Sequence, residues 1–232
     1  MILVVAFSPD GKHLASGSID RTVRPWDPTA EASLGTLRGH SGMATTVAFS
    51  LDGQRLASGS LDSTARLCDP YACASLRTLQ GHSDRVSALA FSPDGKHLAT
   101  RSDDNSVRLW DLTTTATHRT LQGNSEWVTA MASPPDSKLL ASGSIDRTVR
   151  LWDLTTRASL GTMQGHSGRA GVVAFSPDGK NLESGSRDCT VRLWGPTTRA
   201  LLGSLHGHST SVAFSTDGKR LASGSDDRTA RL

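Results

Sequence analysis

One spacing constrains this chain more than any other property. His40, His82, Asn124, His166 and His208 stand 42 residues apart, each from the last. Trp26, Cys68, Trp110, Trp152 and Trp194 keep the same interval, as do Asp20, Asp62, Asp104, Asp146 and Asp188. Three residue types sharing one period mean tandem copies of a single supersecondary unit. Within a copy, the punctuation reads as strands. Residues 87–102, SALAFSPDGKHLATRS, are two apolar runs around a Pro-Asp-Gly turn, the pattern of a β-hairpin. Asp104-Asn105 makes the next turn, SVRLWD (106–111) is a third strand, and HRTLQG (118–123) is a fourth. Each copy is predicted to be a four-stranded antiparallel meander with no helix.

Such a sheet has apolar residues on both faces and cannot bury them alone. Radial stacking of the copies meets that need and predicts a β-propeller. The Gly-His pair, the turn Asp and the Trp-Asp ending of VRLWD closely resemble the WD40 repeat, and the resemblance runs along the whole chain. The expected fold is therefore all-β: a single WD40 propeller domain over residues 1–232, with units near 1–38, 39–80, 81–122, 123–164, 165–206 and 207–232. The chain starts inside a first strand and stops before the Trp of its sixth unit, so six four-stranded blades are expected with the last incomplete. An open arc of a seven-bladed propeller is the alternative. The phrases FSPDGK and LASGS also look like the C-terminal sensor propellers of fungal and bacterial NACHT-type NTPases, which implies a detached ligand-sensing module as a second reading.

The stretch LASGSIDRTVRLWD (140–153) raises a chemical question, because Ser and Asp recur near a His, and Ser, His and Asp are the members of a hydrolase triad. The WD40 resemblance implies a hydrogen-bonded chain of His, Ser or Thr, Asp and Trp in each repeat. Complete sets are His82, Thr100, Asp104 and Trp110, and His166, Ser184, Asp188 and Trp194. A buried indole N–H needs an acceptor, and a buried imidazole needs partners at both nitrogens. A set repeated in every unit, with Trp capping the hydroxyl, points to framework and not to a unique activated nucleophile. No glycine-rich phosphate loop, metal-ligand cluster or unique acid–base pair accompanies it, so no enzyme, no cofactor and no metal are expected.

The copies also disagree with one another. Cys68 takes the place of Trp, Asn124 that of His, and Gly195 that of the Asp after Trp. Pro25 sits inside a third strand, Arg101 replaces Gly, and Ser133 replaces Phe. Glu183 stands where the other five copies have Ala, which would set a carboxyl in a packed interior.

Function is expected in the loops that a rigid scaffold presents. The resemblance implies partner contacts just after the Gly-His loop, at Met43, Arg85, Trp127 and Arg169, and two residues on at Thr45, Ser87, Thr129 and Gly171. The residues before each turn Asp point the same way: Ile19, Leu61, Asp103, Ile145, Arg187 and Asp226. Trp127 stands out as a Trp outside the framework register, with arginines at neighbouring registers; aromatic and Arg side chains dominate binding hot spots. The expected partners are one or more proteins or peptides.

Nucleic acid is not expected. The net charge is +3 with no basic run, and the periodic Arg24, Arg66, Arg108, Arg150, Arg192 and Arg231 lack an aromatic stacking platform. Their stems are expected to pack beside neighbouring blades with the heads at the outer rim. Three cysteines (Cys68, Cys73 and Cys189) show no metal spacing, and no apolar window approaches a membrane span. A soluble cytoplasmic protein is the expectation.

Overall fold

The computed structural model describes residues 1–114, 119–121, 123–156, 158–207, 211–224 and 229–231. His208 and Asp226, named above, lie outside them, as does the side chain of Arg231. Among the described residues there are strands and turns and no helix. They group into two compact units, Met1–Thr120 and Leu121–Leu232.

The first unit holds three sheets, each a meander in sequence order. The first is β1 (Ile2–Phe7), β2 (Leu14–Ser18), β3 (Val23–Asp27) and β4 (Ala32–Ser33). The second is β5 (Ala44–Phe49), β6 (Leu56–Ser60), β7 (Ala65–Asp69) and β8 (Ala74–Leu79). The third is β9 (Val86–Phe91), β10 (His97–Ser102), β11 (Val107–Asp111) and β12 (Arg119–Leu121), whose last residue meets the unit boundary. In the second unit, β13 (Val128–Ala132), β14 (Leu139–Ser144), β15 (Val149–Asp153) and β16 (Ser159–Met163) form one sheet. The next is β17 (Ala170–Phe175), β18 (Leu182–Ser186), β19 (Thr190–Trp194) and β20 (Leu201–His206). A three-stranded sheet of β21 (Ser211–Phe214), β22 (Leu221–Gly224) and β23 (Ala230–Arg231) follows. Five complete blades and an incomplete sixth thus match the period of the sequence.

Five of the first hairpins close on the same turn. Ser92 donates its hydroxyl to Asp94 at 2.6 Å, the Lys96 amide donates to the same carboxylate at 3.0 Å, and Gly95 takes φ +67°. A side chain that bonds its own turn and a residue free to enter the left-handed region are what this tight reversal requires. The turn recurs around Asp10, Asp52, Asp178 and Asp217.

Sheets bury one another by a fixed register. In the first unit Ala15, Val23 and Leu37 pack on Ala44, Val47, Leu56 and Cys68 of the next sheet. Ala57, Ala65, Leu67 and Leu79 pack likewise on Leu98 and Trp110. In the second unit Ala141, Val149, Leu151 and Met163 pack on Ala170, Val173, Leu182 and Trp194. Small residues on β14 let the next backbone come close: a Cβ on Gly143 would lie 2.9 Å from the Ala170 carbonyl oxygen. Hydroxyls tie the sheets as well. Thr45 donates to the Val86 carbonyl at 2.7 Å, and Thr129 donates across to the Ala170 carbonyl.

Three of the periodic arginines turn their heads to a glycine of their own repeat. The guanidinium of Arg66 turns back to its own repeat and donates to the Gly39 carbonyl at 2.6 Å. The heads of Arg150 and Arg192 likewise lie against Gly123 and Gly165, where an added Cβ would meet Nη1 at 2.6 and 2.2 Å. Each of these heads therefore closes on the loop that opens its own repeat.

Glu183 breaks the packing rule. It sits on β18 at the Ala register, is 1% exposed, and its Oε2 has no hydrogen-bond partner. Burial pushes its carboxyl up to about 8. A group raised in the fold holds its proton there while the unfolded chain has released it, so the fold loses stability as pH rises from the ordinary carboxyl range through about 8. Glu183→Ala, the residue of the other copies, is therefore expected to stabilise the chain by about 1–3 kcal/mol. Chemical denaturation at pH 5 and pH 8 checks this, and the gain should be larger at pH 8.

Candidate functional site

The repeated polar set is built from two strands, a turn and a loop. In the third sheet, Thr100 on β10 faces Trp110 on β11, and the indole N–H donates to the Thr100 hydroxyl at 2.9 Å. His82, from the loop before β9, places Nε2 2.7 Å from the same oxygen and Nδ1 2.8 Å from Asp104 Oδ2. The Ser83 amide adds a 3.0 Å bond to that carboxylate. His166, Ser184, Asp188 and Trp194 repeat the pattern, with 2.8 Å from Nε2 to Ser184, 2.9 Å from Nδ1 to Asp188, and 2.8 Å from indole to Ser184. His40, Ser58 and Asp62 make it without an indole, because Cys68 fills the Trp place and is buried.

Serine, histidine and aspartate are thus linked in the order of a hydrolase triad, and the environment removes the chemistry. The Thr100 and Ser184 side chains are fully buried, and their oxygens already hold an indole and an imidazole. No carbonyl substrate can reach an oxygen so enclosed. Burial raises the Asp62 and Asp104 carboxyls, but bonds from Thr64 and His40, and from Ser106 and His82, outweigh it and hold both at about 2. Asp188 lies well below the ordinary range for the same reasons. Burial lowers His40 and His166, which favours neutral rings. Each set is a satisfied internal network that joins a loop, a turn and two strands.

Asn124 shows what a missing member does. Its Oδ1 and Nδ2 are both buried without partners, while Trp152 still donates to Ser142 at 3.1 Å and the Ser125 amide still reaches Asp146 at 3.0 Å.

The loop-side residues fall into pairs. One backbone bond closes the open end of each first hairpin: Leu61 N to Met43 O at 3.0 Å, Asp103 N to Arg85 O at 3.1 Å, Ile145 N to Trp127 O at 2.9 Å, and Arg187 N to Arg169 O at 3.1 Å. The residue entering the first strand and the residue before the turn Asp are therefore neighbours in these four blades. In the first unit Met43 and Leu61 form an exposed apolar pair. Arg85 and Asp103 form an ion pair at 2.7 Å, and beside it Arg101 Nε donates to Ser87 at 3.0 Å. In the second unit Trp127, 49% exposed, pairs with half-buried Ile145, and exposed Arg169 pairs with exposed Arg187 on the next blade.

Thr45 and Thr129 stand apart from these pairs, since their hydroxyls are spent on sheet-to-sheet bonds. Reading residues singly missed the pairing. Its signal was nevertheless present, because the partners 43 and 61, 85 and 103, 127 and 145, and 169 and 187 are each 18 positions apart. Among the described residues, no group of three or more His, Cys, Asp or Glu could hold a metal ion. The described residues contain no helix long and apolar enough to cross a membrane.

Tandem four-stranded blades with a buried polar framework and variable loop pairs define a repeat scaffold. The family model described as "WD domain, G-beta repeat" matches residues 2–27, 31–69, 73–111, 116–153, 157–195 and 199–232, and the chain belongs to the WD40 family. Each complete match starts near the fourth strand of one sheet and ends with the third strand of the next, so family repeat and structural blade are offset by one strand. A 37-residue stretch is also 60% identical to the Notchless protein homolog of Arabidopsis thaliana, covering 16% of this chain and 8% of that protein. A match that short spans about one repeat and adds nothing beyond the repeat itself.

Two substitutions test the network. Asp104→Ala leaves a buried imidazole half-satisfied and is expected to cost about 1–3 kcal/mol, lowering the melting temperature by about 2–4 °C per kcal/mol. Asn124→His supplies the missing imidazole and is expected to raise it. Calorimetry measures both, and a drop on Asn124→His would refute the account of that repeat.

Proposed function

We propose that the chain is a non-catalytic interaction scaffold whose protein or peptide partners dock on the loop side of the blades. WD40 membership supports the scaffold role. The observation that carries the choice of face is the pairing of Trp127 with Ile145 on one blade beside Arg169 with Arg187 on the next. A large exposed indole brings area at low entropic cost, and two adjacent cations supply charge-assisted bonds and steering. The chemistry that fits is an extended segment with an apolar side chain and one or two carboxylates. The phrases FSPDGK and LASGS support a second reading, a sensor propeller of the NACHT-type kind, for which an upstream coding region with a phosphate-binding loop is the discriminating observation.

Selection of displayed peptides on the intact chain tests the first reading. Enrichment of acidic-apolar peptides is expected, with at least about tenfold weaker binding to Trp127→Ala and to the double variant Arg169→Ala/Arg187→Ala at unchanged β-sheet spectra. Equal binding by the Trp127→Ala variant would move the site elsewhere.

A further inference from the structure

The first-hairpin turns of the first unit gather at the opposite end of β1, β5 and β9 from the loop-side pairs, and between them lies a cavity of about 220 Å³. It is lined by Pro9, Phe49, Leu51, Phe91, Ser92 and Pro93. Three letters of the second blade depart from the other copies at this end. Leu51 stands where Pro9, Pro93, Pro135 and Pro177 stand, Gln54 where the other five copies have Lys, and Tyr71 where Thr29, Thr113, Thr155 and Thr197 stand. Leu51 is 63% exposed and Tyr71 45% exposed, so both present apolar area to solvent.

The three departures converge. A threonine at the Tyr71 register donates its hydroxyl to the Asp two residues before it, at 2.6 Å for Thr29 and for Thr113. Tyr71 does not, and Asp69 accepts the Tyr71 and Ala72 amides, at 2.8 and 2.9 Å, on Oδ1. The phenol reaches the first-hairpin turn instead. Its ring lies edge-on to His13 at 5.1 Å, and a Cβ added to Gly53 would lie 3.6 Å from the phenol oxygen and 4.0 Å from Pro9 Cδ. Tyr71, Pro9 and the Leu51–Gly53 turn thus form one strip that runs into the cavity. Asp10, Asp52 and Asp69 border it. Oδ1 of each is spent on its own turn, and Oδ2 of each makes no hydrogen bond or ion pair among the described residues. Gln54 removes the lysine of this turn, and Arg55 reaches to the next blade, where Nη1 donates to the Gly95 carbonyl at 3.2 Å. The exposed Lys12 makes no ion pair among the described residues.

We propose that this groove binds an extended proline-rich segment carrying an arginine or lysine, with its proline rings on Phe49, Leu51, Phe91 and Pro93 and its cation beside Asp10, Asp52 and Asp69. The cavity is smaller than the about 300 Å³ at which ligand pockets begin, so it takes part of a longer chain and not a free small molecule. Ser92 is the polar member of the lining, and its hydroxyl already donates to Asp94 at 2.6 Å. The turn amides of Gly53 and Gly95 are bonded to the Ser50 and Ser92 carbonyls. The floor therefore offers nothing to a strand, which needs a partner edge for its amides. It suits polyproline II, whose backbone forms no ladder and which docks on aromatic-lined grooves. Slight burial and the carboxylates of Asp10, Asp69 and Asp52 push the Tyr71 phenol up, so it stays a donor for a peptide carbonyl. Bonds from Ser8 and Ser50 hold the Asp10 and Asp52 carboxyls below the ordinary range, so both stay charged for the cation. The groove is separate from the loop-side pairs and stands whether or not a partner docks there.

Fluorescence anisotropy on the full chain tests this with a labelled peptide of proline and leucine that begins with two arginines. Its counterparts are the same peptide with glutamates for the arginines, and a helix-forming peptide of alanine and leucine that keeps the arginines. Saturable binding of the first is expected, weakening as salt is raised. Tyr71→Thr and Leu51→Thr install residues that other copies carry at these registers, so the blade still folds, and each should weaken binding at least about tenfold. Gln54→Lys restores the lysine and should weaken it too, while Trp127→Ala should leave it unchanged. Equal affinity in Tyr71→Thr, tighter binding of the glutamate or the helical peptide, or no saturable binding by the folded chain would each overturn the proposal. Dimerisation that Tyr71→Thr abolishes, with no peptide bound, would overturn it in favour of a second copy of the chain.

Discussion

One buried oxygen organises each repeat. The Thr100 hydroxyl takes the indole of Trp110 from one side and the imidazole of His82 from the other, and through His82 it fixes the turn carboxylate of Asp104. In a low-dielectric interior, each of these groups would be costly alone, and together they are satisfied. The network joins the loop before β9, the turn after β10 and the strand β11, so the sheet has one admissible arrangement of its upper end. The loop-side residues inherit their positions from that arrangement.

The same constraint explains why a triad-like set is inert. Hydrolytic chemistry needs an accessible nucleophile, an oxyanion site and a base free to take a proton. Here the hydroxyl is spent, the imidazole is held between that hydroxyl and the carboxylate, and the carboxylate is tied up by its own turn. Geometry that would be catalytic in a cleft becomes structural when a tryptophan closes it. Cys68 leaves His40 and Ser58 bonded with no indole, which shows that the imidazole and carboxylate carry the link between loop and turn even when the cap is changed.

Much of the architecture was legible in the letters, for an identifiable reason. A period of 42 residues with Pro-Asp-Gly and Asp-Asn turns leaves few alternatives to stacked meanders, and five four-stranded sheets with a three-stranded sixth follow it. What escaped was whatever depends on the third dimension between repeats. The head of Arg66 closes on the Gly39 carbonyl of its own repeat, a contact that the spacing does not show. Thr45 and Thr129 read as face residues, yet their hydroxyls bind the neighbouring sheet. Glu183 was conspicuous as a letter among alanines, but that its buried Oε2 finds no hydrogen-bond partner could not be read from one dimension.

The bond that closes each hairpin, such as Ile145 N to Trp127 O, uses main-chain atoms alone. Its strength is therefore indifferent to which side chains it brings together. Each of these four blades becomes a two-letter socket of fixed geometry, filled with methionine and leucine, arginine and aspartate, tryptophan and isoleucine, or two arginines. Recognition can be rewritten two letters at a time without disturbing the frame, so duplicated copies can diverge in what they hold while remaining interchangeable in how they fold.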